Sequence, residues 1–498
     1  MRTEVATSQP GSVQLKRELG TGTSTALVIG NMVGSGVFLL PASLAGVVLI
    51  SGSGSLLAWL LGGMAAMLLA LVFANLGRAY PKTGGPYAYS RRAFGDFIGF
   101  WMAWGYWIAA WVGNAAITVA FVGYASVFWP ELGTNNLLAA LVGIAVVWLL
   151  TAVNVLGVRQ GGMVQLVTTI LKFVPLAVIG IIGLFFIDGG NFTPVAPNGW
   201  GPGDGVLGGI TAAAALTLWA FIGLESATVP AEEVKDPERT IPRASILGTG
   251  VTTIVYILAT IAIVGIIPVS QLAESTSPFA DAAGEIFGGN WGKVIALVAM
   301  ISTFGALNGW ILIQGRIPMA AARDGLFPKV FANLTHRGRT PWVGLVASSA
   351  LITGLMLMNY SKGLVEQFTA IIYLATLTTL VPYAFSAAAQ VYLLFTDRER
   401  FEGRRLTRDS IVALVAFAFS FWAIYGAGLE YVGQGYLLLL AGVPVYLFLK
   451  WRQSRTTTPL PAVVVPPETD VGAPEMDVGA PEMASMTTGS EPGRVAVK

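Results

Sequence analysis

The chain has 498 residues, 54% of them hydrophobic and 11% charged. Soluble domains carry about 25% charged residues, so the composition excludes a soluble protein and points to an all-α integral membrane protein with little else attached. A net charge of +2 leaves no electrostatic footprint for nucleic acid, which is not expected as a partner. With no cysteine there is no disulfide, thiolate metal site or Cys nucleophile, and the one histidine, His336, lies in a basic loop. No P-loop, GxSxG, HExxH or paired-carboxylate spacing occurs. The reading is therefore not an enzyme, with no metal and no cofactor.

Residues 1–22 lack the apolar core and cleavage site of a signal peptide, so they read as a short N-terminal segment. A spanning helix needs about 20 apolar residues. Such runs lie near 23–44, 54–77, 96–128, 136–156, 162–187, 206–230, 244–267, 292–321, 342–358, 366–395, 410–428 and 433–450, which predicts twelve transmembrane helices. Residues 451–498 are rich in Pro, Thr, Glu and Ser and carry Asp-Val-Gly-Ala-Pro-Glu-Met twice, at 470–476 and 477–483. Such a segment cannot bury a core and reads as a disordered tail.

Lys and Arg orient the helices. Basic residues crowd alternate loops, among them Arg78, Lys82, Arg91, Arg92, Arg159, Lys235, Arg239, Arg243, Arg316, Arg323, Lys329 and Arg398–Arg408. Only Lys293 and Lys362 fall in the other set. This asymmetry places both termini in the cytoplasm, in a multi-pass protein of the cell (inner or plasma) membrane with the lipid bilayer as its solvent.

Two runs are anomalous. The stretch 30–41, Gly-Asn-Met-Val-Gly-Ser-Gly-Val-Phe-Leu-Leu-Pro, places three glycines, an asparagine and a serine inside the first run. Gly34, Ser35 and Gly36 allow the helix to unwind and aim backbone groups at a ligand, although small residues also serve close helix packing. The sixth run contains Leu-Trp-Ala-Phe-Ile-Gly-Leu-Glu-Ser (218–226), where Gly223 weakens the helix and Glu225 puts a carboxyl near the membrane centre. Breaks five helices apart, at matching positions of two halves, point to an inverted-repeat transporter with its site between them. Glu225 reads as a counter-charge for a cation or as a proton acceptor, against the alternative of a hydrogen-bonded structural acid. Lys172 lies too deep in the fifth run to snorkel easily. An ammonium there can donate to the loosened backbone of the first helix. Trp219 and Trp310 fall near mid-helix rather than at an interface, and Tyr106, Trp107, Trp111 and Asn114 share the third run. Aromatic faces suit a guanidinium or alkylammonium, at about 0.5–2 kcal/mol each.

These segments carry a family resemblance, together with Gly-Gly-Pro-Tyr-Ala-Tyr (84–89), Tyr-Trp-Ile-Ala-Ala-Trp-Val-Gly-Asn (106–114), Leu-Trp-Ala-Phe-Ile-Gly-Leu-Glu-Ser-Ala (218–227) and Asp-Pro-Glu-Arg-Thr-Ile-Pro (236–242). From about 22 to 450 the chain resembles the amino acid–polyamine–organocation (APC) superfamily, most closely its bacterial basic amino acid/polyamine antiporters of the arginine/agmatine type. The resemblance implies a LeuT-type fold: a 5+5 inverted repeat over about 23–187 and 206–395, helices 1 and 6 interrupted, and extra helices over about 410–450. It implies that Asn31, Ser35 and Gly36 meet the substrate's α-carboxyl and amino groups. Trp219 and Ile222 line its aliphatic or guanidinium part, Asn114 its distal group, and Trp310 the cavity. Tyr106 is implied as a gating tyrosine and Glu225 as a pH-responsive acid. Lys172 departs from the arginine/agmatine pattern, and so does Ala110, which stands where that pattern has cysteine. A lysine here is similar to L-type exchangers and proton-coupled transporters, where it replaces a sodium ion.

The expected function is an antiporter exchanging cationic amino acids (arginine, ornithine or lysine) with related amino acids or amines (agmatine, putrescine). The alternative is a broad neutral amino acid exchanger or proton-coupled symporter. A channel or membrane receptor is the remote alternative, disfavoured by paired breaks and by the lack of a sizeable soluble domain. A homodimer is carried over from prokaryotic relatives, and a disulfide-linked heavy subunit is excluded.

Overall fold

The computed structural model describes residues 17, 19–47, 52–156, 162–192, 206–335, 340–401 and 405–456. The expected N-terminal segment falls largely outside them, and His336, Arg159 and the tandem repeat of the tail fall wholly outside. In chain order the helices are α1 (Thr21–Met32), α2 (Ser35–Ala45), α3 (Gly52–Ala79), α4 (Pro86–Ala125), α5 (Glu131–Thr134), α6 (Asn136–Leu156), α7 (Gly162–Ile182), α8 (Val206–Ala220) and α9 (Pro237–Ile266). They continue with α10 (Val269–Glu274), α11 (Pro278–Phe287), α12 (Trp291–Arg323), α13 (Trp342–Asn359), α14 (Leu364–Thr396), α15 (Leu406–Gly426), α16 (Leu429–Leu440) and α17 (Gly442–Thr456). Among the described residues the only β pairing is an isolated bridge between Leu19 and Val234. The described residues up to Trp451 form one compact unit.

Among the described residues ten helices are long and apolar enough to cross a membrane, counting α1 with α2 and α16 with α17 as single spans. The fifth and sixth runs give shorter apolar helices, Leu171–Phe186 and Gly208–Ala220. The sixth is short for a local reason: regular α-helix stops at Ala220, and residues 221–230 continue as turns whose N–H groups reach back three residues. α4 starts earlier than its apolar run because Pro86 occupies the first helical turn, where a missing N–H is harmless. α17 extends past residue 450, to Thr456.

Burial sorts the helices into centre and periphery. In α4 and α14 89% of the apolar window is enclosed, against 17% for the last span. α4 packs on α12 and α14, α3 on α9, and α1 on α7 and α9. The interrupted chain of α1, α2 and α8 is thus surrounded by other helices. An interruption facing lipid would leave peptide groups unpaired in hydrocarbon, so only an enclosed helix can be broken.

Beyond the spans, polar side chains tie helix ends together. Tyr80, just after α3, donates its hydroxyl to Asp397 at the end of α14 at 2.6 Å, and Arg92 and Arg400 lie 3.3 and 3.6 Å from the same carboxylate. The Tyr80 hydroxyl holds the Asp397 carboxyl below its ordinary value, and burial raises that of Tyr80. A depressed carboxyl stabilises the fold above its ordinary pKa and loses that contribution as pH falls through the folded value. One such bond contributes roughly 1 kcal/mol. Tyr80→Phe should therefore lower the melting temperature in detergent by about 1–2 °C at pH 7, with the gap closing below pH 3.8. Thermal melts at the two pH values check this; a gap independent of pH would contradict it.

Candidate functional site

The first break lies at Val33 and Gly34, whose dihedrals (φ −74°, ψ 78° and φ −118°, ψ −137°) leave the helical region. The Gly34 N–H turns to the Met32 carbonyl at 2.8 Å instead of reaching Gly30. The Gly30 carbonyl, so released, accepts from Lys172 Nζ at 3.4 Å. Lys172 is itself buried, on α7.

The second break follows Ala220. Gly223 adopts φ +117°, and a Cβ on it would stand 2.9 Å from the Asn31 backbone carbon and 3.0 Å from the Met32 nitrogen. Only glycine permits both that dihedral and that approach, so the two breaks press against each other. Asn31 Nδ2 donates across them to Ser226 Oγ at 2.8 Å. Tyr256 of α9 sits behind both: its hydroxyl lies 2.8 Å from the Met32 carbonyl and 3.2 Å from that of Ala220. One hydroxyl, with a single proton to share, thus touches a backbone oxygen at each break, that of Met32 also accepting from the Gly34 N–H.

Between the breaks is a small cavity of about 30 Å³. Its walls come from Asn31, Gly34, Ser35 and Gly36, from Tyr106, Ala109, Ala110, Gly113 and Ile117 of α4, and from Trp219, Ile222, Trp310 and Thr379. That volume suits a water or two, so an amino acid enters only if the walls move. Two buried groups on the walls, Ser35 Oγ and Trp219 Nε1, have no hydrogen-bond partner. The opening turn of α2 adds backbone N–H groups without intrahelical acceptors and the positive end of a helix dipole. This wall therefore presents hydrogen-bond donors to the cavity.

Glu225 does not line the cavity. Tyr106 Oη donates to its Oε1 at 2.7 Å, and Tyr383 Oη and the Gly223 N–H donate to its Oε2 at 2.5 and 3.0 Å. Three donors from α4, α14 and the break itself hold one fully buried carboxyl, and Tyr106 stands between it and the cavity. Asn114 also stays off the cavity wall; its Nδ2 donates to Gln314 Oε1 at 2.7 Å. Lys172 approaches the site only through Gly30. The structure thus brings Asn31, Ser35, Gly36, Tyr106, Trp219, Ile222 and Trp310 to one cavity, and sets Asn114, Glu225 and Lys172 behind it.

Tyr256, Tyr383 and Gln314 went unnoticed in the sequence. Tyr256 and Gln314 are polar groups inside long apolar runs, and Tyr383 follows a mid-span proline, Pro382. Those were the available signals. Among the described residues no His/Cys/Asp/Glu group is placed to hold a metal ion.

A multi-pass helical protein with paired breaks around an enclosed, donor-lined cavity has the form of a membrane transporter. Residues 19–458 match the amino acid permease family, and the chain belongs to it. It is 33% identical over 436 residues to the putrescine transporter PotE of Haemophilus influenzae, covering 87% of this chain and 98% of that protein. It is 36% identical over 420 residues to a cadaverine/lysine antiporter of Escherichia coli (82% and 90% covered). A putative arginine/ornithine antiporter of Bacillus subtilis shares 33% identity over 453 residues (85% and 95%).

The indole of Trp219 rests against Gly113, where a Cβ would lie 2.7 Å from Cη2. Gly113→Ala should displace that ring into the cavity and weaken substrate affinity about tenfold while leaving expression and oligomeric behaviour unchanged. Isothermal titration or scintillation proximity binding measures it; unaltered affinity would show that the ring position is irrelevant to binding.

Proposed function

We propose that the protein is a secondary active antiporter that exchanges a cationic amino acid (arginine, ornithine or lysine) for a related amino acid or amine (agmatine, putrescine or cadaverine). The observation that carries this reading is the single cavity bounded by both breaks, with unpaired donors at the start of α2 and the indole faces of Trp219 and Trp310. The donors suit a substrate carboxylate, and the indoles suit an aliphatic stem ending in a cation. Relatives named for putrescine, cadaverine/lysine and arginine/ornithine transport support the same substrate class.

In this reading the shorter helices α7 and α8 also span, completing twelve transmembrane helices in a LeuT-type 5+5 inverted repeat, with both termini cytoplasmic. Substrate binds between the interrupted helices, and one helix set rocks against the other to alternate access. The small cavity is a closed intermediate of that cycle. Tyr106 gates the route to Glu225, whose proton exchange modulates turnover. A homodimer is the expected assembly. Lys172 supports a second reading, a neutral amino acid exchanger or proton-coupled symporter, because its ammonium meets the released Gly30 carbonyl where a sodium ion would otherwise be useful.

Purified protein in liposomes preloaded with arginine, agmatine, ornithine, alanine or nothing decides among these. Labelled arginine should accumulate only against a cationic load. Equal uptake into empty vesicles would reject exchange, and efficient counterflow against alanine would favour the second reading. Trp219→Ala should weaken arginine binding roughly tenfold, the loss of about 1.4 kcal/mol of aromatic–cation attraction. Glu225→Ala should flatten the pH dependence of exchange, and Lys172→Ala should change the inside/outside asymmetry of apparent affinity. Wild-type behaviour in any of the three would remove that residue from the scheme.

A further inference from the structure

Behind the cavity a chain of buried polar side chains crosses four helices. Thr151 Oγ1 of α6 donates to the Val147 carbonyl at 2.8 Å. Ser349 Oγ of α13 lies 2.6 Å from Thr151 Oγ1, Gln314 Nε2 of α12 donates to Ser349 Oγ at 3.3 Å, and Asn114 Nδ2 donates to Gln314 Oε1 at 2.7 Å. Thr151, Ser349, Gln314 and Asn114 are all buried. The chain ends at Asn114 Oδ1, a buried acceptor with no partner.

The direction of this chain follows from its anchor. A backbone carbonyl can only accept, so the single hydroxyl proton of Thr151 is committed to Val147. Thr151 then accepts the Ser349 proton, and the Ser349 lone pairs are left for the Gln314 amide N–H. That turns the Gln314 oxygen toward Asn114, which must answer with its N–H. The amide of Asn114 is thereby held with its oxygen turned away from Gln314. A buried acceptor without a partner costs free energy until a donor arrives.

Asn114 stands beside Gly113 and one turn along from Ala110, and Gln314 stands one turn along α12 from Trp310; Gly113, Ala110 and Trp310 all line the cavity. The pair therefore borders the cavity between α4 and α12. We infer that Gln314, through the Ser349–Thr151 relay, is a positioning residue that locks Asn114 as an acceptor and so selects substrates whose distal end is a hydrogen-bond donor, an ammonium or guanidinium. This rests on the proposed cationic exchange and adds the device that enforces it. A site arranged to accept a hydrogen bond rejects an analogue that cannot donate one, because its acceptor is left unpaired.

Three probes of similar length separate the cases: ornithine with a donor tip, methionine sulfoxide with an acceptor-only tip, and norvaline with an apolar tip. Each competes against labelled substrate in proteoliposomes of the full chain. The wild type should prefer ornithine over methionine sulfoxide by at least about tenfold. Gln314→Met, similar in shape but unable to hold the amide, should shrink that ratio toward unity with norvaline inhibition unchanged. Ser349→Ala should shrink it less, about threefold, and keeps the test open if Gln314→Met does not fold. Gln314→Glu, which still accepts from Asn114, should retain the wild-type ratio. A purely structural loss would shift all three inhibition constants together and would overturn the inference. So would a wild-type ratio preserved in both Gln314→Met and Ser349→Ala. Absence of cation exchange in the wild type would instead sink the functional reading, whereas intact exchange with unmoved selectivity would sink only the relay.

Discussion

A helix broken in an apolar interior releases peptide groups that water cannot reach, and each must find a partner inside the protein. The rest of this structure depends on how that demand is met. Lys172 answers the Gly30 carbonyl, Tyr256 the carbonyls of Met32 and Ala220, and Glu225 the Gly223 N–H. These three side chains come from α7, α9 and the second break itself. Glu225 is held in turn by Tyr106 and Tyr383, from the two most enclosed helices, α4 and α14. The breaks are therefore not loose points in the fold. They are tied to its most buried elements by hydrogen bonds that exist only because the helices stop.

What those partners leave unanswered is what the cavity offers to a ligand. Ser35 Oγ and Trp219 Nε1 remain without partners, whereas the carbonyls of Gly30 and Met32 are occupied. Those donors can meet an acceptor on a ligand, and the indoles of Trp219 and Trp310 line the same cavity. The carboxyl of Glu225 is spent on three donors rather than on the cavity, so attraction of a cation falls to neutral groups.

Away from the site, ion pairs fasten the ends of the same helices. Arg91 bridges the turn at Gly95, pairing with Asp96 at 3.0 Å and with Asp324 at the end of α12 at 2.9 Å, while Lys450 of α17 reaches Asp96 at 3.3 Å. Each partner is a third or more exposed, so these contacts contribute little individually and are weakened by salt. They suit contacts that form and release as packed helices slide, in contrast to the buried hydrogen bonds at the breaks.

The breaks themselves were legible because glycine, asparagine and glutamate are conspicuous in apolar runs, where nothing bland explains all of them at once. The apolar periods located the helices, and Gly223 and Glu225 marked the weak point of the sixth, but not that its three-residue hydrogen bonding already begins at Phe221. The small residues Gly34, Ser35 and Gly36 all permit unwinding; dihedrals place the break at Val33 and Gly34 and return Ser35 and Gly36 to helix. Sequence by itself determined that the chain is a helical membrane protein with two interruptions and two buried charges, because composition and local polarity are properties of single segments. Tertiary structure alone decided that Tyr256 bridges the breaks, that Tyr106 and Tyr383 enclose Glu225, and that Asn114 answers to Gln314. Those are meetings of side chains 36 to 224 residues apart, and a tyrosine or glutamine in a span declares its partner only when another helix is packed against it.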